Sequence, residues 1–320
     1  MACYHPIRAV LVQTPAGKHL DFRPSASGKG LSLPCGRCIG CRVERARQWS
    51  VRIMHEAKLH DENSFLTLTY ENEPSGGTLL KAHLRDFFKR LRSRLEPIRI
   101  RYYAVGEYGK ICMVCGNGKK SCSCRSPAFK VGRPHYHVCL FGFSFPDKVL
   151  FKRSGDLFLY TSQLLHDTWS YGHASIGGLS HDSANYVAGY VTEKYDNLKA
   201  VQEYGERVRP FSVMSRRPGV GYEWFKKFSG DVFPVDEVLV NGVSTKPPRY
   251  YDKLAEGLQI DLTSVKDRRE KAADKLEEYV TASGVRINVS PNRNAHRLRV
   301  KKVIAEAKLA LKSRDGELKC

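Results

Sequence analysis

The run Phe65-Leu-Thr-Leu-Thr-Tyr70 and the periodic stretch after it decide the fold class that the sequence predicts. The β-branched and aromatic residues of this run are typical of a buried strand. Apolar residues then recur at helical spacing from Leu79 to Leu95, with lysines and arginines on the other faces. The two patterns predict a strand followed by an amphipathic helix.

Further elements extend this unit along the chain. The segment 98–105 alternates like a strand, and HYHVCLFGF at 135–143 predicts another. We predict a helix near 162–170, a short strand near 173–176 and a helix over 183–195. The order β-α-β-β-α-β-α is typical of an α+β fold, in which an antiparallel sheet carries its helices on one face.

The rest of the chain suggests additional modules. A basic helix is predicted from about Arg42 to Leu59, signals are weak over 200–260, and charged helices are predicted at 261–280 and 296–313. We therefore divide the chain into three segments. They are an N-terminal Cys-rich basic module at 1–60, a central domain at 61–199 with a Cys-rich insertion at 109–130, and a C-terminal accessory region at 200–320 that is partly helical.

The composition indicates the kind of partner. The 320 residues carry a formal net charge of +20, most of it within the first 130 residues, and 42% of them are hydrophobic. Such an excess of cations suits a polyanion such as nucleic acid, although a solvated surface that serves only solubility is the alternative. The N-terminal apolar run is too short for a signal peptide, and no stretch approaches the roughly 20 apolar residues of a membrane span. We expect a soluble, cytoplasmic protein.

A histidine pair stands at the start of a predicted strand, in the sequence RPHYHV at 133–138. Because side chains alternate between the two faces of a strand, His135 and His137 project the same way and can ligate one metal ion. Glu107, just past the preceding strand, could supply a third ligand. This set suits Mg²⁺ or Mn²⁺ and also permits Zn²⁺. The alternative is a pair of surface histidines and an exposed glutamate in a turn.

Two tyrosines and a lysine are spaced four residues apart in a predicted helix, so that Tyr186, Tyr190 and Lys194 share one helix face. Phenols can form covalent phosphodiester intermediates, but they need help to ionise, because the ordinary tyrosine pKa is about 10. A neighbouring ammonium and a metal-bound phosphate would both provide that help. The alternative is a helix whose tyrosines border the core, with the lysine in solvent.

Seven of the ten cysteines form two tight groups, which suits metal binding in a reducing compartment better than a disulfide framework. The spacing within the insertion favours a structural Zn²⁺ site, with free thiols in a flexible loop as the alternative. The N-terminal group lacks a local fourth ligand, which Cys3 could supply for Zn²⁺. An iron–sulfur cluster or no metal at all stays open there. The two candidate sets are Cys112, Cys115, Cys122 and Cys124, and Cys3, Cys35, Cys38 and Cys41.

Basic residues that alternate with aromatic ones suit contacts to single-stranded nucleic acid. Each of them, taken singly, is explained nearly as well by a soluble helix face or an ordinary strand. The candidates for DNA contact are Arg42, Arg45, Arg47, Lys89, Arg90, Arg92, Arg94 and Arg101.

The run 65–70, the His135-Tyr136-His137 signature and the Tyr186, Tyr190 and Lys194 helix resemble, in order, the three motifs of HUH rolling-circle replication initiators. With MACYHP at 1–6 and PCGRCIGCR at 34–42, the chain is similar to the initiators of gokushovirus-type microviruses. The resemblance implies an RRM-like HUH core, on which the two histidines bind a divalent metal at the central strands and Glu107 completes the ligand set.

The same resemblance implies an enzyme, a metal-dependent tyrosine endonuclease and strand transferase. In the family, a tyrosine attacks the scissile phosphate and leaves a 5′-phosphotyrosine link and a free 3′-OH, and a second tyrosine cuts the regenerated origin. By family analogy the partners are viral origin DNA, single-stranded or supercoiled duplex, and the host helicase, polymerase and single-strand-binding protein. The location so implied is the cytoplasm of the bacterial host, with no membrane partner.

Two other function classes fit part of the sequence. A zinc-containing DNA-binding protein without catalysis would need only the cysteines and the basic faces, and it predicts that the tyrosines and the histidine pair are dispensable. A metal-dependent DNA hydrolase would use water as the nucleophile, and it predicts no covalent adduct with DNA.

Overall fold

A computed structural model of the chain describes residues 3–15, 17–23, 29–117, 122–124, 129–154, 157–189, 197–274, 276–280, 284–289 and 294–315. The chain forms two compact units. The smaller comprises Met1–Arg45 together with Asp261–Glu317, and the larger comprises Ala46–Ile260. These bounds differ from those of the three predicted segments, because the chain returns to its N-terminal residues after Ile260.

The elements are numbered in chain order within the described residues. The helices are α1 (Ile39–Ala57), α2 (Lys81–Leu95), α3 (Gln163–Thr168), α4 (His181–Gly189), α5 (Asn197–Tyr204), α6 (Tyr222–Val232), α7 (Arg249–Gly257), α8 (Thr263–Asp274) and α9 (Ala295–Asp315). The strands are β1 (Ile7–Thr14), β2 (Gly17–Asp21), β3 (Lys29–Leu33), β4 (Asn63–Thr69), β5 (Arg101–Cys112), β6 (Phe129–Phe141), β7 (Val149–Ser154), β8 (Leu157–Thr161), β9 (Ala174–Gly177), β10 (Phe211–Met214), β11 (Val238–Val240), β12 (Val243–Thr245), β13 (Glu277–Val280) and β14 (Arg286–Val289).

The larger unit is built on one sheet, with the strand order β10-β5-β6-β4-β9-β8-β7. Every neighbouring pair of strands in it is antiparallel. Its four central strands, β5-β6-β4-β9, are the four strands of the predicted β-α-β-β-α-β unit, and α2 and α3 precede β5 and β9 in that unit. The predicted α+β fold class with an antiparallel sheet is confirmed.

One face of this sheet carries the larger hydrophobic core. Leu66 and Leu68 project from β4 onto it, and Phe87 of α2 is buried in the same cluster. Trp169, directly after α3, is also fully buried there, and its Nε1–H donates a hydrogen bond to the Thr69 carbonyl oxygen (2.8 Å). The two helices that precede β5 and β9 therefore lie on one face, as predicted.

The opposite face is covered as well, which the sequence prediction did not anticipate. Phe65, Tyr103 and Cys139 project from three neighbouring strands onto it and form a second buried cluster with Ile53 of α1 and Val187 of α4. The central strands are apolar at consecutive positions, so both of their faces gain free energy by leaving water. Helices α1 and α4 supply the cover that this second face needs.

A buried ion pair fastens α1 to the sheet. Glu56 is 1% exposed, pairs with Arg101 at the start of β5 and accepts a hydrogen bond from the Gly221 N–H (2.6 Å). His60 Nε2 lies 3.6 Å from the same carboxylate. Burial opposes the ionisation of Glu56, but the bonds from His60, Gly221 and Arg101 outweigh it and lower its pKa.

The smaller unit contains the antiparallel sheet β2-β1-β3, the hairpin β13-β14 and helices α8 and α9. The helix predicted over 261–280 ends at Asp274, because residues 277–280 pair with 286–289 as strands. The stretch 200–260, where signals are weak, contains α5 to α7 and β10 to β12. No helix in the described part of the chain combines the length and apolar character needed to cross a membrane.

Replacing Glu56 by Gln removes the charge that neutralises Arg101, so we expect the free energy of unfolding to fall by about 3 kcal/mol. The folded pKa of Glu56 lies below its unfolded value of about 4.5. The contribution of the carboxylate is therefore fully present above that pH and is lost as the pH falls through the folded pKa. Urea denaturation of both proteins across this pH range measures the difference.

Asp86→Asn is the matched control, because it breaks the exposed ion pair with Arg85 and should leave stability unchanged. A Glu56→Gln protein as stable as Asp86→Asn at neutral pH would contradict the importance of the buried pair.

Candidate active site

The three predicted metal ligands converge on the sheet face that α1 and α4 cover. His135 and His137 project from β6, and Glu107 projects from β5 directly opposite His135 in the register. Glu107 Oε1 lies 2.7 Å from His135 Nε2 and 3.0 Å from His137 Nε2. The three ligand atoms all lie within 4.8 Å of one another. The structure thus brings the predicted set together.

Burial decides the electrostatics of this group. Glu107 and His137 are 2% and 3% exposed, whereas the side chain of His135 is 18% exposed. Burial opposes the ionisation of Glu107, but the two histidines, His135 foremost, more than offset it and lower the pKa of the carboxyl. Glu107 is therefore an ionised carboxylate at neutral pH, and the group opens to solvent on the side of His135.

The donor set fits a divalent metal ion. Glu107 Oε2 is buried and has no hydrogen-bond partner among the described residues. A carboxylate oxygen in that position carries a desolvation cost that a bound cation would offset. The carboxylate suits Mg²⁺ or Mn²⁺, and the two imidazoles also admit Zn²⁺.

Two contacts outside the ligand set orient the imidazole rings. Thr67 of β4 lies opposite His137 in the register, and a hydrogen bond of 3.1 Å joins its Oγ1 to His137 Nδ1. The carbonyl oxygen of Arg133 lies 3.3 Å from His135 Nδ1. With Nδ1 engaged in this way, each ring presents Nε2 to Glu107. The sequence prediction missed Thr67, although its place two residues after Phe65 puts it on the same strand face.

Helix α4 carries the first predicted nucleophile to this group. Ala184 and Val187 bury α4 against the sheet, and Tyr186 is half-buried between them in the sequence. The centroid of its ring lies 5.2 Å from that of His137, in an edge-to-face arrangement at 79°. Tyr186 therefore stands beside the candidate metal ligands. Tyr190 and Lys194, the other members of the predicted stripe, lie outside the described residues.

The N-terminal cysteines form one four-thiol group in the smaller unit. The Sγ atoms of Cys3, Cys35, Cys38 and Cys41 lie within 4.8 Å of one another, with 3.9 Å between those of Cys3 and Cys38. The Tyr4 N–H donates a hydrogen bond to Cys38 Sγ (3.3 Å), and the Cys35 N–H donates one to Cys3 Sγ (3.2 Å). Burial opposes the ionisation of Cys38, but hydrogen bonds from Tyr4 and other groups lower its pKa to about 7.

The second four-thiol group lies in the Cys-rich insertion, at the end of the β5-β6 hairpin. Cys112 Sγ is 4.0 Å from Cys124 Sγ, and Cys115 Sγ is 3.7 Å from Cys122 Sγ. All four Sγ atoms lie within 4.8 Å of one another. Hydrogen bonds from the backbone, that of Cys115 foremost and that of Val114 among the others, lower the pKa of Cys112 to about 6.

The sulfur separations have the size expected around a tetrahedral ion. Zn–S bonds of about 2.3 Å place the sulfurs of a tetrahedral site about 3.8 Å apart. A disulfide would need about 2.0 Å. The three separations given above, 3.7 to 4.0 Å, match the tetrahedral value. Both predicted cysteine sets are therefore assembled in a form that fits a metal ion.

The predicted DNA-contacting residues are scattered. Arg47 Nη1 donates a hydrogen bond to Thr245 Oγ1 (2.9 Å), and Arg101 is held in the ion pair with Glu56. Helix α2 lies on the sheet face opposite the metal ligands. DNA contact by these residues stays a prediction. The other candidates are Arg42 and Arg45 on α1, and Lys89, Arg90, Arg92 and Arg94 on α2.

Comparison with known proteins gives consistent matches. A family model for replication-associated proteins of the ORF2 type matches residues 63–115. The replication-associated protein VP4 of Bdellovibrio phage phiMH2K is 31% identical over 262 residues, which cover 78% of this chain and 76% of that protein. The replication-associated protein ORF2 of Spiroplasma virus 4 is 30% identical over 308 residues, which cover 86% and 88%. No solved structure shows a significant match to the chain.

Thr67→Val removes the hydroxyl that orients His137 but keeps the shape of the side chain. We expect the affinity for Mn²⁺, measured by electron paramagnetic resonance of the free ion, to fall roughly 10- to 100-fold. Thr69→Val is the control, since Thr69 lies on the same face of β4 and donates its hydrogen bond to the His173 carbonyl oxygen. Unchanged Mn²⁺ affinity in Thr67→Val would show that this threonine does not position His137.

Proposed function

Because this chain belongs to the family of microvirus replication-associated proteins, we propose that it initiates rolling-circle replication by nicking and rejoining viral DNA at the origin. The observation that carries the proposal is the contact between the rings of Tyr186 and His137. It puts a phenol beside a group of metal ligands on one sheet face. Phosphoryl transfer depends on positioning of this kind and on charge stabilisation, and asks little other covalent chemistry of the protein.

In the proposed reaction, the Tyr186 oxygen attacks the phosphorus of the scissile phosphodiester. A bond forms between the tyrosine oxygen and phosphorus as the bond from phosphorus to the 3′ oxygen breaks. The proton that the phenol loses is balanced by the proton that the departing 3′-hydroxyl gains. The strand is left as a 5′-phosphotyrosine, and attack by another 3′-hydroxyl on that linkage rejoins the DNA.

The residues around the phosphate have separate tasks. His135, His137 and Glu107 would hold Mg²⁺ or Mn²⁺, which offsets the charge that develops on the phosphate. Thr67 fixes the orientation of the His137 ring. Tyr190, four residues after Tyr186 in the sequence, is proposed as the second nucleophile, and Lys194 as the cation beside both phenols.

The proposal also concerns the setting of the reaction. The substrate is viral origin DNA, single-stranded or supercoiled duplex, and the free 3′-OH left by the nick is the primer that a host polymerase extends. A host helicase and single-strand-binding protein complete the set of partners. The relatives named above are proteins of phages and of a Spiroplasma virus, so the proposed location is the cytoplasm of the bacterial host.

The test is a denaturing gel that detects protein bound covalently to the circular single-stranded genome in the presence of Mn²⁺. We expect a shifted band with the wild type and at least roughly 10³-fold less of it with Tyr186→Phe/Tyr190→Phe, because both nucleophiles are then absent. The single variants show which tyrosine attacks this substrate. Tyr160→Phe, in β8, is the control and should form the adduct normally.

Three outcomes would contradict the proposal. DNA binding without an adduct under any divalent metal would favour a non-catalytic DNA-binding protein. Cleavage without an adduct would favour a hydrolase in which water attacks. An adduct that survives in the double variant would place the nucleophile elsewhere.

We infer further that each four-thiol group holds a structural Zn²⁺ ion. The sulfur separations support this, and so do the backbone N–H groups that donate to Cys3, Cys38 and Cys112, since such bonds stabilise thiolates. Each group has four thiols and no open position, as structural rather than catalytic zinc sites do. The ions would hold together segments that are distant in the sequence.

Elemental analysis of the purified protein tests this inference, with two zinc ions per chain as the expected value for the wild type. Cys38→Ser and Cys115→Ser should each lose one ion, because each removes a ligand from a different group. Cys139→Ala is the control, since Cys139 is buried in the sheet core and belongs to neither group. Iron in place of zinc, or no metal in the wild type, would overturn the assignment.

A further inference from the structure

A cleft of about 1190 Å³ opens at one end of the large sheet. Its walls come from the start of β5, the end of β10, the C-terminal end of α2 and the turn from Arg216 to Gly219 that a β-bridge closes. We call it the strand-end cleft. Neither the proposed active site nor the two cysteine groups use it, so its chemistry is unexplained by the function proposed above.

The strand-end cleft has an excess of unneutralised positive charge. Arg101 also lines it, but the buried carboxylate of Glu56 neutralises that guanidinium. Glu96 and Glu223 contribute two carboxylates. Four arginines of the cleft make no ion pair within the described part of the chain, and all four are exposed. They are Arg92, Arg99, Arg216 and Arg217.

The aromatic surface of the cleft is already occupied. The ring of Tyr102 stacks on Phe88 with 3.7 Å between centroids, and the guanidinium of Arg92 lies 5.5 Å from the Tyr102 ring centroid. Binding of single strands through their bases needs a free aromatic face for stacking. The cleft instead offers guanidinium groups, which recognise phosphate oxygens through paired hydrogen bonds.

Strand β5 connects the cleft to the candidate active site. Arg101 lines the cleft and Glu107 belongs to the metal-ligand group, and both lie in β5. Six residues of an extended strand span about 20 Å. Phosphates of one strand of duplex DNA repeat every 3.4 Å or so along the axis, which makes this distance roughly six nucleotides.

We propose that the strand-end cleft binds the sugar-phosphate backbone of the substrate DNA, about six nucleotides from the nick, without reading its sequence. This rests on the proposed function in one respect, namely that DNA is the substrate. Contacts to phosphate position a protein on DNA but carry no sequence information. The cleft would hold the flanking strand in place while the nick is made and rejoined.

The test measures the affinity for a fluorescent single-stranded oligonucleotide by anisotropy at several KCl concentrations. The parent protein carries Tyr186→Phe/Tyr190→Phe, so that no cleavage or adduct formation enters the result. Arg216→Gln/Arg217→Gln should weaken binding about tenfold near physiological salt and reduce the slope of log K against log salt by about 1.4, since each lost phosphate contact contributes about 0.7. The reduction should be the same for oligonucleotides of different sequence.

Two controls separate this site from general charge and from folding. Arg249→Gln/Lys253→Gln removes two exposed cations from α7 and should leave the slope unchanged. Arg216→Lys/Arg217→Lys keeps the charge and should keep most of the affinity. The proposal is overturned if the α7 variant loses as much affinity as the cleft variant, or if the lysine variant loses as much as the glutamine variant.

Position along the DNA provides a second readout. A neutral methylphosphonate about six nucleotides to one side of the nick site should weaken binding to the parent but not to Arg216→Gln/Arg217→Gln. Equal effects on both proteins would place that phosphate elsewhere. None of these measurements needs catalysis, so the cleft can stand when the covalent adduct is not found, and can fail when it is.

Discussion

The register of β6 between β4 and β5 is the constraint on which the candidate active site depends. The pairing sets His137 opposite both Thr67 and Val105, and it sets His135 opposite Glu107. Because side chains alternate with period two, a slip of one residue would turn both histidines toward the core face that α2 covers. The buried apolar residues of β6 on both faces oppose any such slip. Packing of the whole sheet therefore maintains the geometry of a few polar atoms.

The polar group lies within an apolar face, and this setting changes its chemistry. Phe65 stacks on His137 at 5.5 Å, and Val105 and Cys139 belong to the buried cluster on the same face. In such surroundings a carboxylate is costly unless cations or donors compensate it, and its interactions with them are stronger than in water. Helix α4 closes this face with Ala184 and Val187, which in turn brings Tyr186 to the histidine. The hydrophobic contacts thus determine where the candidate nucleophile stands.

The sequence carries local patterns better than partners in space. Alternation in β6 predicts that His135 and His137 share a face, and the position of Glu107 after a strand predicts a third ligand. The hydrogen bond from Thr67 depends on which residue lies opposite His137, and only the strand register decides that. In the same way, periodicity predicts the helix that contains α1 but not the sheet face that it covers, since that follows from the Glu56 and Arg101 ion pair and from Ile53. The grouping of Asp261–Glu317 with the N-terminal residues has no signal in the sequence.

The Cys-rich insertion has a structural reason that length and composition do not reveal. Strand β10 pairs with β5 only as far as Gly106, and β4 pairs with β6 only as far as His135. Beyond these points, within the described residues, β5 and β6 continue as a two-stranded hairpin past a bulge between Tyr108 and Lys110. An isolated two-stranded hairpin is marginally stable in water. The hairpin leaves the sheet directly after Glu107, so any fraying of it would propagate into the register of the metal ligands, and four thiols at its far end are where a metal ion would oppose that fraying most effectively.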